Sequence, residues 1–400
     1  MIGFVFGIIA TLAWLWLLLF RGGYWRFKQE LTPLDEAQPE GEWPSVCVLV
    51  PARNESNVLR ESLPTLLNQD YPGELRFYLV DDSSTDDTKN VAFNVARNQK
   101  IEGRFHVIDN TPTPSGWTGK VWALHTGLQK IVESNCDLIL LTDADIKHED
   151  NSVKRLVYHL ECNDLDLASL MANLRAESFW EEVLIPSFVY YFSLLFPFEW
   201  VNNPEKDTAA AAGGCVLVKK SKLVNAGGFE EVSDAIIDDC ALAKLIKSSK
   251  EGNKGKIWLG LSNLVSSVRS YGGLKGIWKM VSRSAFTQLR NSFLLLMGTV
   301  IGLIILFVAP PGLLITGIIG LISSGFPLND LNGFLYTGIG ALSWILMGIS
   351  FLPIMNWYNL PKIYATLGPL SGTLYTLMTI DSALKWVRGR GGNWKGRTYN

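Results

Sequence analysis

Charge is scarce in this sequence and cysteine scarcer. Only 18% of the 400 residues are charged, and 36 Lys and Arg nearly balance 38 Asp and Glu, for a formal net charge of -2. No basic excess offers a face to a phosphate backbone, so nucleic acid is not an expected partner. The five cysteines (47, 136, 162, 215 and 240) are odd in number and form no Cys-x-x-Cys pair. That argues against a disulfide framework and a thiolate zinc site, and fits a reducing, cytoplasmic compartment. The four histidines do not cluster either. What the chain has in quantity is apolar residues, 48% of the total, concentrated at its start and in its last quarter.

Residues 2–20 are almost wholly apolar, and Arg21, Arg26 and Lys28 follow them. A secretory signal carries its charge before the apolar run and a small-residue cleavage site after it. Here the order is reversed and the run is long enough to span a bilayer. The segment 1–22 therefore reads as a retained transmembrane anchor with its C-terminal end in the cytoplasm. A linker over 23–43, rich in proline and acid, precedes a soluble domain over 44–263. Next comes a segment over 264–291 with Arg269, Lys275, Lys279, Arg283, Arg290 and Trp278 and no acid. Such a stretch suits anionic headgroups at a membrane surface. The region 292–384 is apolar and broken by Pro310-Pro311, Pro327, Pro353 and Pro361. The tail 385–400 carries Lys385, Arg388, Arg390, Lys395 and Arg397, and reads as cytoplasmic. Two cytoplasmic ends require an even number of spans, either four short ones or two full ones with re-entrant pieces. An aromatic run over 179–201, with Pro186 and Pro197, reads as a membrane-surface helix pair or an acceptor groove, with an ordinary core helix as the alternative.

The soluble domain alternates strands with helices. Apolar runs at 46–50, 75–80, 104–108 and 138–142 read as strands, and 56–68, 88–98 and the stretch from Gly119 read as helices. Ser56 or Asn57 is the expected cap of the first helix. This pattern predicts an α/β domain with a mostly parallel sheet covered on both faces. Polar, ligand-type residues then collect just after three strands, at Pro51–Glu55, Asp81–Asp87 and Asp143–Asp145. Ligands of open α/β sheets bind at such strand ends. Strand alternation would set Asp143 and Asp145 side by side, and two close carboxylates call for a cation between them. Oxygen ligands suit Mg2+ or Mn2+, which take substrate phosphates as further ligands. A nucleotide diphosphate is the ligand this predicts. Each acidic turn alone reads as a helix cap; their convergence is what points to a site.

Val46-Cys-Val-Leu-Val-Pro-Ala-Arg-Asn-Glu55, Val80-Asp-Asp-Ser-Ser-Thr-Asp86, Gly119-Lys-x-x-Ala-Leu124 and Thr142-Asp-Ala-Asp145 resemble, in order and spacing, the motifs of family 2 glycosyltransferases. The resemblance implies a GT-A (Rossmann-like, nucleotide-diphospho-sugar transferase) domain, here flanked by transmembrane helices. It implies that Asp81, with Asp82 beside it, meets the nucleotide base, that Pro51, Ala52, Arg53 and Glu55 line the nucleoside pocket, and that Lys120 lies near the donor. Asp145, helped by Asp143, would hold the metal. His125 stands where many relatives have Asn. Gly213 and Gly214, in the Ala-rich turn before the strand at 215–218, would underlie the acceptor pocket. Ile236-Ile-Asp-Asp-Cys240 resembles the family's Glu-Asp helix start, with Asp238 in the Glu position and Asp239 in that of the catalytic base. An inverting transfer needs such a base to take the acceptor hydroxyl's proton.

Processive synthases of the superfamily carry Gln/Arg-x-x-Arg-Trp near 280–290. This chain has Arg283-Ser-Ala-Phe-Thr287 and Gln288-Leu-Arg290, which leaves Arg283, Gln288 and Arg290 as acceptor-side or donor contacts and disfavours a processive polysaccharide synthase. A catalytically inactive scaffold would have lost one of Asp81, Asp145 and Asp239, and all are present. Thr142–His148, Leu170–Arg175 and Phe286–Arg290 are most similar to hopene-associated glycosyltransferases (HpnB type), and more distantly to ceramide glucosyltransferases. The expected reaction moves a sugar, from a UDP-sugar first, to a membrane lipid hydroxyl of the hopanoid kind or another.

Overall fold

The apolar runs that open the soluble domain are strands lying side by side, in a computed structural model that describes residues 2–34, 42–248, 254–323, 325 and 331–392. The middle of the expected linker, Pro327, and Lys395 and Arg397 of the expected tail fall outside the described residues. The elements are α1 (Ile2–Phe20), β1 (Val46–Ala52), α2 (Ser56–Leu67), β2 (Leu75–Asp81), α3 (Thr88–Asn98), β3 (Phe105–Asp109), α4 (Gly119–Val132) and β4 (Leu138–Thr142). There follow β5 (Ile146–His148), α5 (Ser152–Cys162), β6 (Leu167–Asn173), α6 (Phe179–Leu195), α7 (Phe198–Val201), β7 (Cys215–Lys219), α8 (Lys220–Asn225), α9 (Asp238–Lys247) and β8 (Ile257–Ser267). The C-terminal part holds α10 (Leu274–Gln288), α11 (Phe293–Leu303), α12 (Ala309–Ser323), α13 (Leu331–Trp357) and α14 (Gly368–Val387).

One sheet runs in the order β3-β2-β1-β4-β7-β6-β8-β5. The first four strands are mutually parallel, as the alternation predicts. The second half is mixed, with β7 antiparallel to both β4 and β6, and β5 antiparallel to β8. The cause is the excursion through α6 and α7, which returns the chain to the end of the sheet where it left. Side chains alternate between the two faces: Cys47, Leu49, Ile139 and Leu141 pack with Val121, Leu124 and Leu128 of α4, while Val46, Val48, Val50, Leu138 and Leu140 pack against α2, α3 and α5. From β1 the chain crosses to β2 on one side, and β4 lies on the other. The crevice at that reversal is where the site forms.

Among the described residues, three helices are long and apolar enough to cross a membrane: Gly3–Phe20, Phe293–Ser323 and Leu331–Trp357. Two of them lie in the C-terminal region. The fourth expected run differs: Lys362–Leu367 is a 3-10 turn, and α14 packs against α10 and α6. The expected break at Pro310-Pro311 is also absent, because the helix continues through a π-helical turn at Ile304–Val308. Proline has no amide hydrogen, so the Leu306 carbonyl finds no donor four or five residues on. The indole of Trp14 in α1 donates to that carbonyl at 3.0 Å instead. Glycines let α12 and α13 approach closely: a Cβ on Gly340 would meet the Leu314 amide at 2.5 Å.

The aromatic run is internal, as the core-helix alternative has it, and not at the surface. Val183, Leu184, Ile185, Val189 and Tyr190 of α6 are buried, and its rings pack among α13 and α14. A polar thread joins the parts, from Tyr24 to Tyr190 at 2.8 Å and from Tyr190 to Ser350 at 2.8 Å. The expected boundary at 263/264 falls inside β8, which continues to Ser267. The residue before α2 is Glu55 rather than Ser56 or Asn57, and it caps with no side-chain bond because its carboxylate is engaged elsewhere.

Replacing Trp14 by Phe keeps the ring packing and orphans the Leu306 carbonyl. Stability should fall by about 1 kcal/mol, read as a lower unfolding temperature of the full chain in detergent. An unchanged temperature would mean that the carbonyl finds another donor.

Candidate active site

Each acidic loop is placed by the strand before it. β1 ends at Ala52, which is fully buried and paired with Asp81 at the end of β2. The Arg53 guanidinium folds over this junction onto the Asp82 carbonyl and lies 3.5 Å from the Asp82 carboxylate. Asp82 also accepts from Asn110 at 3.0 Å. Asp81 Oδ2 accepts from the Ser84 amide at 3.2 Å, while its Oδ1 is buried with no hydrogen-bond partner among the described residues. A buried carboxylate oxygen without a donor is costly unless a ligand supplies one.

β4 ends at Thr142, and Asp143, Ala144 and Asp145 form a turn before β5. The two acids therefore do not share a strand face, as alternation had predicted. They share a cavity because the turn closes on itself, the Ile146 amide bonding the Asp143 carbonyl at 3.2 Å. Behind the turn, buried His148 bridges the Thr142 and Ser152 hydroxyls at 3.0 and 3.1 Å. Burial holds its imidazole low, at about 4, so it stays neutral.

The cavity, about 730 Å³, is lined by Pro51, Glu55, Lys120, Asp143, Asp145, Asp238 and Arg269 on one side. Two cations organise these acids. Lys120, in the first turn of α4, lies 2.9 Å from Asp143 and 3.1 Å from Asp238. Burial opposes its charge, but Asp143, Asp238 and Asp239 hold the ammonium well above its usual range. Arg269 lies 2.9 Å from both Asp145 and Glu55, and Ser267 adds a bond to Asp145 at 3.0 Å. Burial pushes the Asp143 carboxyl up, with Asp145 and Asp238 acting the same way against Lys120. This surplus of negative charge, on oxygen ligands alone, fits a hard divalent cation at Asp143 and Asp145. Among the described residues no cluster of three or more acid, His or Cys ligands forms a closed metal cage, so substrate and water oxygens would complete the coordination.

Asp239 sits in a small recess beside the cavity, with Lys120, Gly213 and Asp238. The amides of Gly213 and Cys240 each donate to its carboxylate at 2.7 Å. Burial and the neighbouring Asp238 nevertheless lift it to about 6, with Lys120 and the two amides opposing. A Cβ at Gly213 would meet Asp239 Oδ2 and Lys120 Nζ at 3.2 Å, a tight fit that those side chains would have to relieve by a few tenths of an ångström. Gly214 accepts from Thr142 at 2.8 Å and so braces the turn.

The structure thus brings together Pro51, Glu55, Lys120, Asp143, Asp145, Gly213, Asp238 and Asp239. Arg283 lines the far side of the cavity. Gln288 and Arg290 do not line it: they fall at and beyond the C-terminal end of α10, where the chain turns through positive φ at Arg290 and Asn291. His125 stacks on Trp122, with ring centroids 5.3 Å apart, and takes no part in the cavity. Sequence reasoning assigned Arg269 to lipid headgroups. It belongs to the acids, and the one signal available was its position just past a strand end.

An eight-stranded mixed sheet with acids at its switch point, flanked by apolar helices, is a GT-A-like fold. Residues 47–224, somewhat under half of the chain, match the model for Glycosyl transferase family 2. A "Probable glycosyltransferase YdaM" of Bacillus subtilis (strain 168) is 28% identical over 250 residues, 60% of this chain and 56% of the relative. A "Beta-monoglucosyldiacylglycerol synthase" of Nostoc sp. (strain PCC 7120) is 25% identical over 207 residues, 51% and 41% of the two chains. The chain spans about half the length of the curated relatives it matches. The mannosyltransferase PcManGT from Pyrobaculum calidifontis, solved in complex with GDP-Man and Mn2+, matches 96% of this chain and 99% of its own. Its TM-score is 0.55 at 18% identity, a likeness of fold.

The raised Asp239 has a consequence for stability. The unfolded chain loses this proton near 3.8 and the folded one near 6. Between those values the native state binds more protons, so this group makes stability fall as pH rises. Asp239→Asn removes the effect. From about pH 4 to pH 7 the parent should lose up to about 3 kcal/mol relative to the variant, at about 1.4 kcal/mol per pH unit. Denaturant unfolding at several pH values measures it, and parallel curves would place the carboxyl in its ordinary range.

Proposed function

We propose that the chain is a membrane-bound, metal-dependent, inverting glycosyltransferase, moving a sugar from a nucleotide-diphosphate sugar to a membrane lipid hydroxyl. The observation that carries the reading is the convergence of Asp143 and Asp238 on Lys120, and of Asp145 on Arg269, in one cavity at the sheet's switch point. The family 2 domain supports the donor class. Three apolar helices and a relative named as a diacylglycerol glycolipid synthase support a lipid acceptor. Hopanoid-pathway polyols are the first neutral acceptors to try, given the hopene-associated resemblance. Basic residues after α1 and at the end of α14 support a cytoplasmic domain.

The roles follow from placement. Asp81 Oδ1 is a spare buried acceptor for a nucleobase N–H, a donor that uracil and guanine both offer. Arg53, on the loop after β1, lies against the neighbouring Asp82, and Glu55 on the same loop lines the cavity. A Mg2+ or Mn2+ held by Asp143 and Asp145 would supply positive charge to a departing diphosphate. Lys120 offers its ammonium beside the same oxygens. Asp239, at about 6, is ionised at neutral pH yet basic enough to take the acceptor hydroxyl's proton. The acceptor oxygen then bonds to the anomeric carbon as the bond to the diphosphate breaks on the opposite face. Asp238 is neutralised by Lys120 and serves to position it.

Nucleotide release from a panel of UDP- and GDP-sugars, with Mn2+ and total membrane lipid, tests this. One donor should give lipid-dependent turnover that Asp145→Ala and Asp239→Ala each reduce by roughly a thousand-fold. Turnover should also lose activity below about pH 6. Asp81→Asn should leave the fold as stable as the parent and weaken donor binding by about ten-fold. Turnover that survives both alanine substitutions would sink the assignment.

A further inference from the structure

The cavity has a second wall that the donor chemistry does not use. It is built by α10 and the end of α14, and it presents Lys279, Arg283, Lys385 and Arg390. No acid from either helix lines the cavity on this side. Lys385 is already neutralised by Asp381 at 2.7 Å. Lys279, Arg283 and Arg390 are exposed and have no acidic partner among the described residues. The wall is held rigidly: the Trp278 indole donates to Asp381 at 2.8 Å, the Phe286 amide to Ser382 at 3.0 Å, and Lys385 to Ser282 at 2.7 Å. Three cations fixed on one face of a cavity repel one another and attract an anion.

The donor does not require all of that charge. On the first wall the four carboxylates of Glu55, Asp143, Asp145 and Asp238 exceed Lys120 and Arg269 by two charges, which a divalent cation balances, and a donor diphosphate then adds about two negative charges, fewer than the three cations of the second wall. A neutral lipid polyol would leave the remainder of the second wall's charge unused. A phosphate group would engage it, with Lys as a point charge and Arg as a two-pronged donor. The wall also stands where the catalytic domain meets the apolar helices, since α14 packs against α13.

We propose that Lys279, Arg283 and Arg390 form an acceptor subsite for a phosphate-bearing membrane lipid, so that the sugar acceptor is a hydroxyl of an anionic lipid. This rests on the glycosyltransferase reading above. The phosphate could come from a headgroup or from solution, and the test separates them.

Full-length protein in detergent is titrated with short-chain phosphatidylglycerol, with dioctanoylglycerol and with inorganic phosphate. The same titrations use a variant with Lys279→Ala, Arg283→Ala and Arg390→Ala. Phosphatidylglycerol should bind the parent about ten-fold tighter than either control, and the variant should lose about ten-fold. The better of UDP and GDP, with Mn2+, should bind parent and variant alike. Equal binding of dioctanoylglycerol, or of inorganic phosphate, overturns the lipid-phosphate subsite. Nucleotide binding that falls in step with lipid binding assigns the three cations to the donor and overturns it too, while leaving the glycosyltransferase reading intact. If the parent binds no nucleotide, that reading fails by itself, and the lipid titrations still decide the subsite.

Discussion

Lys120 is the contact on which the site depends. A single ammonium in the first turn of α4 draws together Asp143 after β4 and Asp238 at the start of α9, with Asp239 close enough to feel its charge. Without a cation there, three buried acids would repel one another, and the turn after β4 and the start of α9 would separate. Arg269 repeats the device from the far side, joining Asp145 to Glu55, the latter 214 residues away from it in sequence. Two cations thus hold five segments in register around one cavity. The arrangement remains electrically unfinished by about the charge of one divalent ion.

Attachment to the apolar helices follows the same economy of few, specific links. α6 threads between the catalytic domain and α13, and Tyr24, Tyr190 and Ser350 pass one chain of hydroxyls through that junction. α10 and α14 close the cavity from the other side. The acids of the cavity and the apolar helices are thus neighbours across a single space.

Much of the sheet was legible because its signals are local. Val46–Ala52 and Leu138–Thr142 are unbroken apolar runs that only buried strands accommodate, and the acids after them stand at the predicted edge. The reason given for pairing Asp143 with Asp145 was wrong, since a turn and not strand alternation brings them together. Arg269 was legible as a basic residue and illegible as a site residue, because its partners come from loops far away in sequence. Pro310 and Pro311 misled in the same way. Local rules predict a break, and Trp14, about 290 residues earlier, supplies the hydrogen bond that the prolines remove. Contacts of this length leave no mark on composition or period.

The most direct test of the central claim, that these acids and cations form a cation-assisted diphosphate site, is calorimetric titration of the full chain with UDP and GDP, in Mn2+ and in excess chelator. One of the two nucleotides should bind in Mn2+, and chelation should weaken it by about ten-fold or more. Binding that is indifferent to the metal, or absent for both nucleotides, would contradict it.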